Sequence, residues 1–215
     1  MNIMEKVDFK KKYKDLYMPK AKPMIIKVPA MIFVMVDGKG DPNTSKEYKD
    51  AMEILYGISF TIKMSKMKNQ QPEGYYDYVV PPLEGLWWVD DDNFNGISKV
   101  NNKDGFYWTS MIRQPEFVTR EVFDKALQEL AKKKPDLDLK RARLEIWEEG
   151  LTAQVMHIGP YDDEPETIEN LERFILEQGY KNDINEVRKH HEIYLGDPRR
   201  CAPEKLKTVI RHPIV

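Results

Sequence analysis

The sequence repeats itself, and the repeat narrows the possible folds more than any other feature. Val34-Met35-Val36-Asp37-Gly38-Lys39-Gly40-Asp41 lines up with Val155-Met156-His157-Ile158-Gly159-Pro160-Tyr161-Asp162. Each copy begins as an alternating apolar strand, breaks at glycine, and passes through an acidic turn toward a helix. The first helix is expected to open on Thr44-x-x-Glu47, a capping box that satisfies two orphan amide donors, with Tyr48, Met52, Leu55 and Ser59-Phe60 at helical spacing. The second is expected to open near Pro165, with Ile168, Leu171, Phe174 and Ile175 as its apolar stripe and Gly179 as its C-terminal cap.

Two strand-like runs follow each helix. They are 75–80 and 85–89 in the first half, split by Pro81-Pro82-Leu83-Glu84, and 190–195 and 207–212 in the second, split by Gly196-Asp197-Pro198. Between the halves, 106–113 reads as a strand and 119–133 as a helix with Val122, Phe123, Ala126, Leu127 and Leu130 on one face. A strand at 143–147 is expected to turn at Glu149-Gly150 into another at 151–157, and the polar stretch 90–104 reads as a surface loop long enough to be functional. Phe9, Tyr13, Leu16 and Tyr17 mark residues 1–20 as an amphipathic helix leaning on the body. The expected class is α+β: a tandem of strand-helix-strand-strand units at about 21–115 and about 140–215, within one domain over 21–215.

Composition excludes several classes of function. The 34 basic residues against 36 acidic ones give a net charge of −2, and the lysine clusters at Lys10-Lys11-Lys12 and Lys132-Lys133-Lys134 sit beside acidic helical patterns. No basic stripe for phosphates is present, so direct nucleic-acid binding is not expected. No window approaches the ~20 apolar residues of a membrane span. The single cysteine, Cys201, cannot bridge within the chain, which points to the cytoplasm and, with no base beside it in sequence, not to a nucleophile.

Aromatic residues crowd the turns and strand ends: Tyr75-Tyr76, Tyr78, Trp87-Trp88, Phe106-Tyr107-Trp108, Tyr161 and Tyr194. Strand alternation sends neighbours to opposite faces, so one of Trp87 and Trp88, and one of Tyr107 and Trp108, belongs to the core while the other can line a pocket. The sharper signal is His190-His191-Glu192-Ile193-Tyr194, where His190, Glu192 and Tyr194 share one face. Glu192 either points to solvent or pairs with an arginine such as Arg113, or it is a buried anchor for a cationic ligand or a base of raised pKa. Adjacent histidines on a strand diverge, and His157, His190, His191 and Glu192 match no zinc spacing, so no metal is expected. No nucleophile elbow or phosphate-binding glycine loop occurs, and no cofactor is expected.

Four segments resemble the GyrI-like small-molecule-binding family, in a stand-alone bacterial branch that includes cyclopropanoid cyclopropyl hydrolases. They are Pro82-Leu83-Glu84-Gly85-Leu86-Trp87-Trp88, Met111-Ile112-Arg113-Gln114-Pro115, His157-Ile158-Gly159-Pro160-Tyr161, and His191 through Arg199. The resemblance implies two units about a pseudo-twofold axis with a ligand channel between them. It also implies a strand carboxylate, here Glu192, that meets cationic drugs among aromatic rings. In drug-sensing regulators a helix-turn-helix module precedes this domain; only about 20 residues precede it here, so transcription control is not expected. Stand-alone members imply hydrolysis of cyclopropane-bearing DNA-alkylating compounds inside an aromatic cage. Glu192 is then expected to act on water, and Tyr194 or His157 to donate toward a developing oxyanion. Trp87, Trp108, Tyr76, His157, Tyr161 and Glu192 are the expected ligand contacts, with Glu192 and Tyr194 catalytic. The alternatives are a non-catalytic sensor or sequestering protein, or a protein partner such as gyrase.

Overall fold

The two aligned apolar segments form the two longest strands, β1 (Met24–Lys39) and β4 (Ala142–Ile158), which pair antiparallel along most of their length. The computed structural model describes residues 6–89 and 105–215. Ahead of β1 lie two short helices, α1 (Phe9–Lys12) and α2 (Lys14–Tyr17), in place of the single amphipathic helix expected. After β1 comes α3 (Lys46–Lys63), then β2 (Leu83–Trp88), β3 (Tyr107–Arg113) and α4 (Arg120–Lys133). After β4 come α5 (Glu164–Glu177), β5 (His190–Tyr194) and β6 (Lys207–Pro213). The class is α+β, and each unit reads strand-helix-strand-strand. The six strands close into a barrel in the order β1-β3-β2-β5-β6-β4. Exchanging the units maps β1 on β4, β3 on β6 and β2 on β5, so the order is its own mirror and β2 meets β5 at the pseudo-twofold axis.

Several local expectations need correction. Residues 75–80 form no strand; Tyr78 makes one isolated parallel bridge to Val7. A closed six-strand barrel has no open edge to receive them, and their aromatic rings pack instead against one another and Phe117. The cap of α3 is Ser45, one residue after Thr44, and its hydroxyl accepts from Tyr48 N–H. At Glu149-Gly150 the chain does not turn. Gly150 takes φ +76°, a conformation that favours glycine, and β4 continues in unbroken register with β1. What changes there is the facing. Odd residues such as Trp147 and Glu149 point into the barrel before Gly150, and even residues such as Gln154 and Met156 do so after it. β1 makes the same switch, with Val28, the ladder partner of Gly150, and Met31 both inward on either side of Pro29. The Arg188 guanidinium donates to the carbonyls of Glu149 and Leu151 and satisfies both at the switch. The loop expected at 90–104 lies outside the described residues.

The barrel interior holds Val28, Met31, Phe33, Met35, Leu86, Met111, Met156, Ile193 and Val209, closed at one end by Phe9, Leu16 and Tyr17. Among these apolar groups runs a buried ionic chain. His191 Nε2 meets Glu84 at 3.0 Å and Nδ1 meets Glu149 at 2.9 Å, while Arg211 donates to Glu149 at 3.1 Å and to the Leu16 carbonyl. Burial alone would lower the His191 pKa, but the charge of Glu149 and its hydrogen bond, followed by Glu84, hold it at about 9. Outside the barrel, α3 and α4 cover Val34, Val36, Trp87, Trp108 and Ile112, and α5 covers Ala153, Val155 and Ile210.

Two outcomes are expected. The His191 imidazolium stabilises the fold fully below about pH 6.5, and roughly 3 kcal/mol of that stability fades as pH rises toward 9. Chemical denaturation at pH 6 and pH 9 measures this, and His191→Gln should flatten the difference. Trp108 is fully buried, with Gly38 leaving the only space its ring can occupy (a Cβ there would lie 2.2 Å from it), so Trp108→Ala should cost ~3–5 kcal/mol of folding stability. A cost below 1 kcal/mol would place the ring outside the core.

Candidate functional site

Strand alternation on β5 puts His190, Glu192 and Tyr194 on the outer face and His191 and Ile193 in the barrel. On the outer face Glu192 is 5% exposed and both its oxygens are engaged: His190 Nε2 lies 2.9 Å from Oε1, and the Tyr194 hydroxyl donates to Oε2 at 2.6 Å. Trp87, from the adjoining strand β2, donates its indole N–H to the Tyr194 oxygen at 2.9 Å. Gly85 sits opposite Glu192 in the β2–β5 ladder and leaves room for these rings; a Cβ on it would stand 2.7 Å from the Trp87 nitrogen. Of the alternatives open to Glu192 in the sequence, exposure to solvent and pairing with Arg113 do not occur. Arg113 lies over the Phe9 and Tyr13 rings, with Glu116 as its ion-pair partner at 3.6 Å.

A second carboxyl completes the site. Glu164, at the start of α5, is also 5% exposed and faces Glu192; its Oε1 has no hydrogen-bond partner among the described residues. Burial first, and the charge of Glu192 second, raise its proton affinity well above the carboxylate range. Burial would raise Glu192 too, but the hydrogen bond and charge of His190, then the Tyr194 hydroxyl and Glu164, bring it below that range. Of the pair, Glu164 is therefore the group that binds a proton more tightly and Glu192 the one that gives it up more readily. Tyr194, buried beside Glu192, is raised well above the usual phenol value and stays a donor.

The other expected residues divide into those at this site and those away from it. Tyr161 is half-exposed, and its ring meets Tyr194 edge-on with centroids 5.7 Å apart; burial, then Glu164 and Glu192, push its pKa up to about 12. Tyr48, from α3, stacks near Trp87 at 6.1 Å and edge-on to Trp108 at 5.0 Å. Trp87 reaches the site through its N–H while its ring packs under the helices, and Trp108 packs with the core against Gly38. His157 Nδ1 meets the Thr167 hydroxyl at 2.8 Å and Nε2 meets the Pro160 carbonyl at 3.0 Å. A carbonyl only accepts, so the proton is on Nε2, and the ring is occupied in shaping the turn that presents Tyr161. Tyr76 belongs to a separate cluster with Tyr78 and Phe117 and donates to Glu116 at 2.7 Å. Glu164 is the residue that sequence reading missed. It lies in the acidic run Asp162-Asp163-Glu164, which reads as a solvated turn; Pro165 behind it was the available hint that Glu164 opens a helix.

The opposite face of the same strands carries a different concavity. A cavity of about 640 Å³ opens at the barrel mouth, lined by Met35, Leu86, Trp88, Tyr107, Arg143 and Trp147 among others. Trp88 and Tyr107 stack there at 5.9 Å, so alternation does divide each aromatic pair, with the outer member core and the inner member cavity-facing. The mouth is wide and Arg143 is already bound to Asp37 at 2.6 Å and Glu145 at 2.7 Å, which leaves it no free charge for a ligand. The Glu192 face, with two carboxyls of opposed proton affinity, is the better candidate for chemistry.

No group of three or more His, Cys, Asp or Glu residues able to hold a metal occurs among the described residues. No helix among them is long and apolar enough to cross a membrane.

Known structures share this architecture. An uncharacterized conserved protein from Listeria innocua is 49% identical and superposes with a TM-score of 0.92, covering 98% of this chain and 100% of its own. A hydrolase from Listeria innocua is 48% identical, with a TM-score of 0.87 and the same coverage. A second hydrolase structure from that organism is 47% identical, TM-score 0.88, again over 98% of this chain and 100% of its own. No curated protein matches the chain. The GyrI-like small molecule binding domain matches residues 21–215, and with nearly the whole sequence inside that match the chain belongs to the GyrI-like family.

Proposed function

We propose that the Glu192–Glu164 site binds flat aromatic small molecules and hydrolyses those that carry a strained cyclopropane conjugated to a carbonyl. The observation that carries this reading is the carboxyl pair itself. Two buried acids in one site, one held ionised and the other protonated, are the arrangement that lets a base and an acid act at the same pH. Tyr161, half-exposed and edge-on to Tyr194, offers a ring at the entrance on which a flat ligand can stack. The two Listeria relatives described as hydrolases, at 48% and 47% identity over 98% of the chain, support catalysis.

The reaction balances with water as the only co-reactant. Water oxygen bonds to the cyclopropane methylene and the adjacent ring C–C bond breaks. The released electron pair moves through the conjugated system onto the carbonyl oxygen. Glu192 takes the proton that water loses, and Glu164 delivers its proton to the developing oxyanion, which becomes a phenol. The facing of the two carboxyls allows the proton to return from Glu192 to Glu164, so the site is ready for another cycle. Tyr194 is the second donor within reach of the same charge, already aimed at Glu192.

A binding-only reading has one specific observation in its favour: both Glu192 oxygens are already hydrogen-bonded, as suits a fixed anion that anchors a cationic ring. Turnover separates the two. With protein limiting and a cyclopropane-bearing alkylator in excess, mass spectrometry should find many equivalents of the water adduct. Glu164→Gln and Glu192→Gln should each lower the rate by roughly 10²–10⁴-fold. One bound, unchanged equivalent per chain would leave sequestration as the function.

The two variants should also differ in ways that follow from their charge. Activity should fall as pH rises through the elevated pKa of Glu164, because the acid form is the working one, and Glu164→Gln should abolish that limb. Calorimetric titration should show Glu192→Gln weakening cationic aromatic ligands more than neutral isosteres. Equal losses for both ligand types would show that Glu192 makes no use of its charge in binding.

A further inference from the structure

We propose that Asn182 and His212, acting through His190, are positioning residues that fix the protons around Glu192 and present it as a base on one side only. The catalytic meaning of this rests on the acid–base reading above, but the geometry stands without it.

The row begins at the surface. Asn182 Oδ1 accepts from the Ile184 backbone N–H at 2.9 Å, which settles which way the amide points and leaves Nδ2 3.2 Å from His212 Nδ1. An amide nitrogen only donates, so His212 Nδ1 must be the bare, accepting nitrogen and the ring proton must sit on Nε2. His212 Nε2 lies 2.8 Å from His190 Nδ1, which is therefore the acceptor of that proton. His190 in turn carries its own proton on Nε2 and donates it to Glu192 Oε1 at 2.9 Å. Every proton in the row is fixed by the one outside it, and the first is fixed by a backbone amide. Both imidazoles are fully buried, with ring centroids 4.9 Å apart at 67°. Burial, then His190, hold the His212 pKa well below its ordinary value, so the ring stays neutral as the row requires.

The row has a blind end. Asn182 cannot take up a proton, so the two imidazoles cannot conduct one away from Glu192. A proton gained by Glu192 must be held and released on the Oε2 side. The groups facing Glu192 there are Tyr194 on its own strand, Glu164 on α5, Tyr48 on α3 and Tyr161 in the turn before α5. Thr208 on β6, opposite Tyr194 in the ladder, adds a buried hydroxyl beside Glu164. The row thus acts as a lock: it stabilises the carboxylate from behind and directs its reactivity toward Glu164 and the aromatic entrance.

Asn182 is exposed, so it can be changed without opening the core. Nitrogen-15 NMR of the imidazoles should find both His190 and His212 as Nε2–H tautomers in the unaltered protein at pH 7. Asn182→Asp places an acceptor beside His212 Nδ1 and should put a proton on that nitrogen. The row then either reverses, forcing a proton onto Glu192, or carries a cation that weakens Glu192 as a base. Either change should lower kcat about tenfold with little change in KM, and should move the acid limb of the pH–rate profile. An Nδ1-protonated ring in the unaltered protein would overturn the proposal, as would an Asn182→Asp protein with unchanged tautomers and an unchanged pH profile. Nε2–H tautomers in a protein that shows no turnover at all would support the lock and remove the hydrolase reading.

Discussion

The period of two along β5 governs the rest of this structure. It divides one polar run, His190 to Tyr194, between two compartments that the sheet keeps apart. On the inner side His191 is surrounded by apolar groups and must be neutralised there, because a lone buried charge is far too costly. Glu84, Glu149, Arg211 and the Leu16 carbonyl meet that demand, and in doing so they tie β2, β4, β5 and β6 to the segment that closes the barrel. On the outer side the same spacing sets His190 and Tyr194 either side of Glu192. A one-residue slip of β5 would exchange the two networks, placing Glu192 among interior methionines and His191 under α5. The buried interior pairs therefore act chiefly as a device for holding register: leaving any one partner unpaired is the main cost of slipping.

The repeat was legible because its signals are local. Alternation, a glycine break and an acidic turn each act within a few residues, and the helices they predict at α3 and α5 are present, with Leu55, Ser59, Ile168, Leu171 and Ile175 buried and Phe60 turned to the outside. Signals that depend on the rest of the molecule were not legible. Residues 75–80 have strand-forming side chains, but strand formation needs a partner edge and the barrel offers none. Gly150 reads as a turn because glycine is a strong local break in a strand pattern; here the partner strand changes facing alongside it, between Val28, opposite Gly150, and Met31, and the ladder continues. The aromatic pairs show the limit most clearly. Alternation requires that Trp87 and Trp88 part company, yet only the position of α3 and α4 decides that Trp87 is the member they cover.

Glu192 was legible for the opposite reason: a carboxylate in a strand otherwise made of buried residues conflicts with its surroundings, and such conflicts collect at functional sites. Its partner Glu164 carries no such mark. It sits among acidic residues at a helix start, where a carboxylate is favourable on dipole grounds alone and excites no question. Only the fold brings α5 across β5 and shows that this one member of the acidic run is buried.

The two carboxyls differ because their neighbours differ, not because of their own chemistry. Glu192 receives an imidazole N–H and a phenol O–H, which favour its anion; Glu164 has burial, one oxygen with no donor among the described residues, and an anion in front of it, which favour its acid form. The difference in proton affinity is thus distributed over β5, β6, α5 and the residues behind them. An isolated glutamate in an aromatic pocket would suffice to attract cationic rings. A second buried carboxyl kept neutral beside it adds nothing to that attraction and costs stability, since it replaces apolar packing with an unsatisfied polar group. That expense has a physical rationale if the neutral acid gives up its proton while the anion accepts one, a task that calls for both groups at contact and for their pKa values to be held apart.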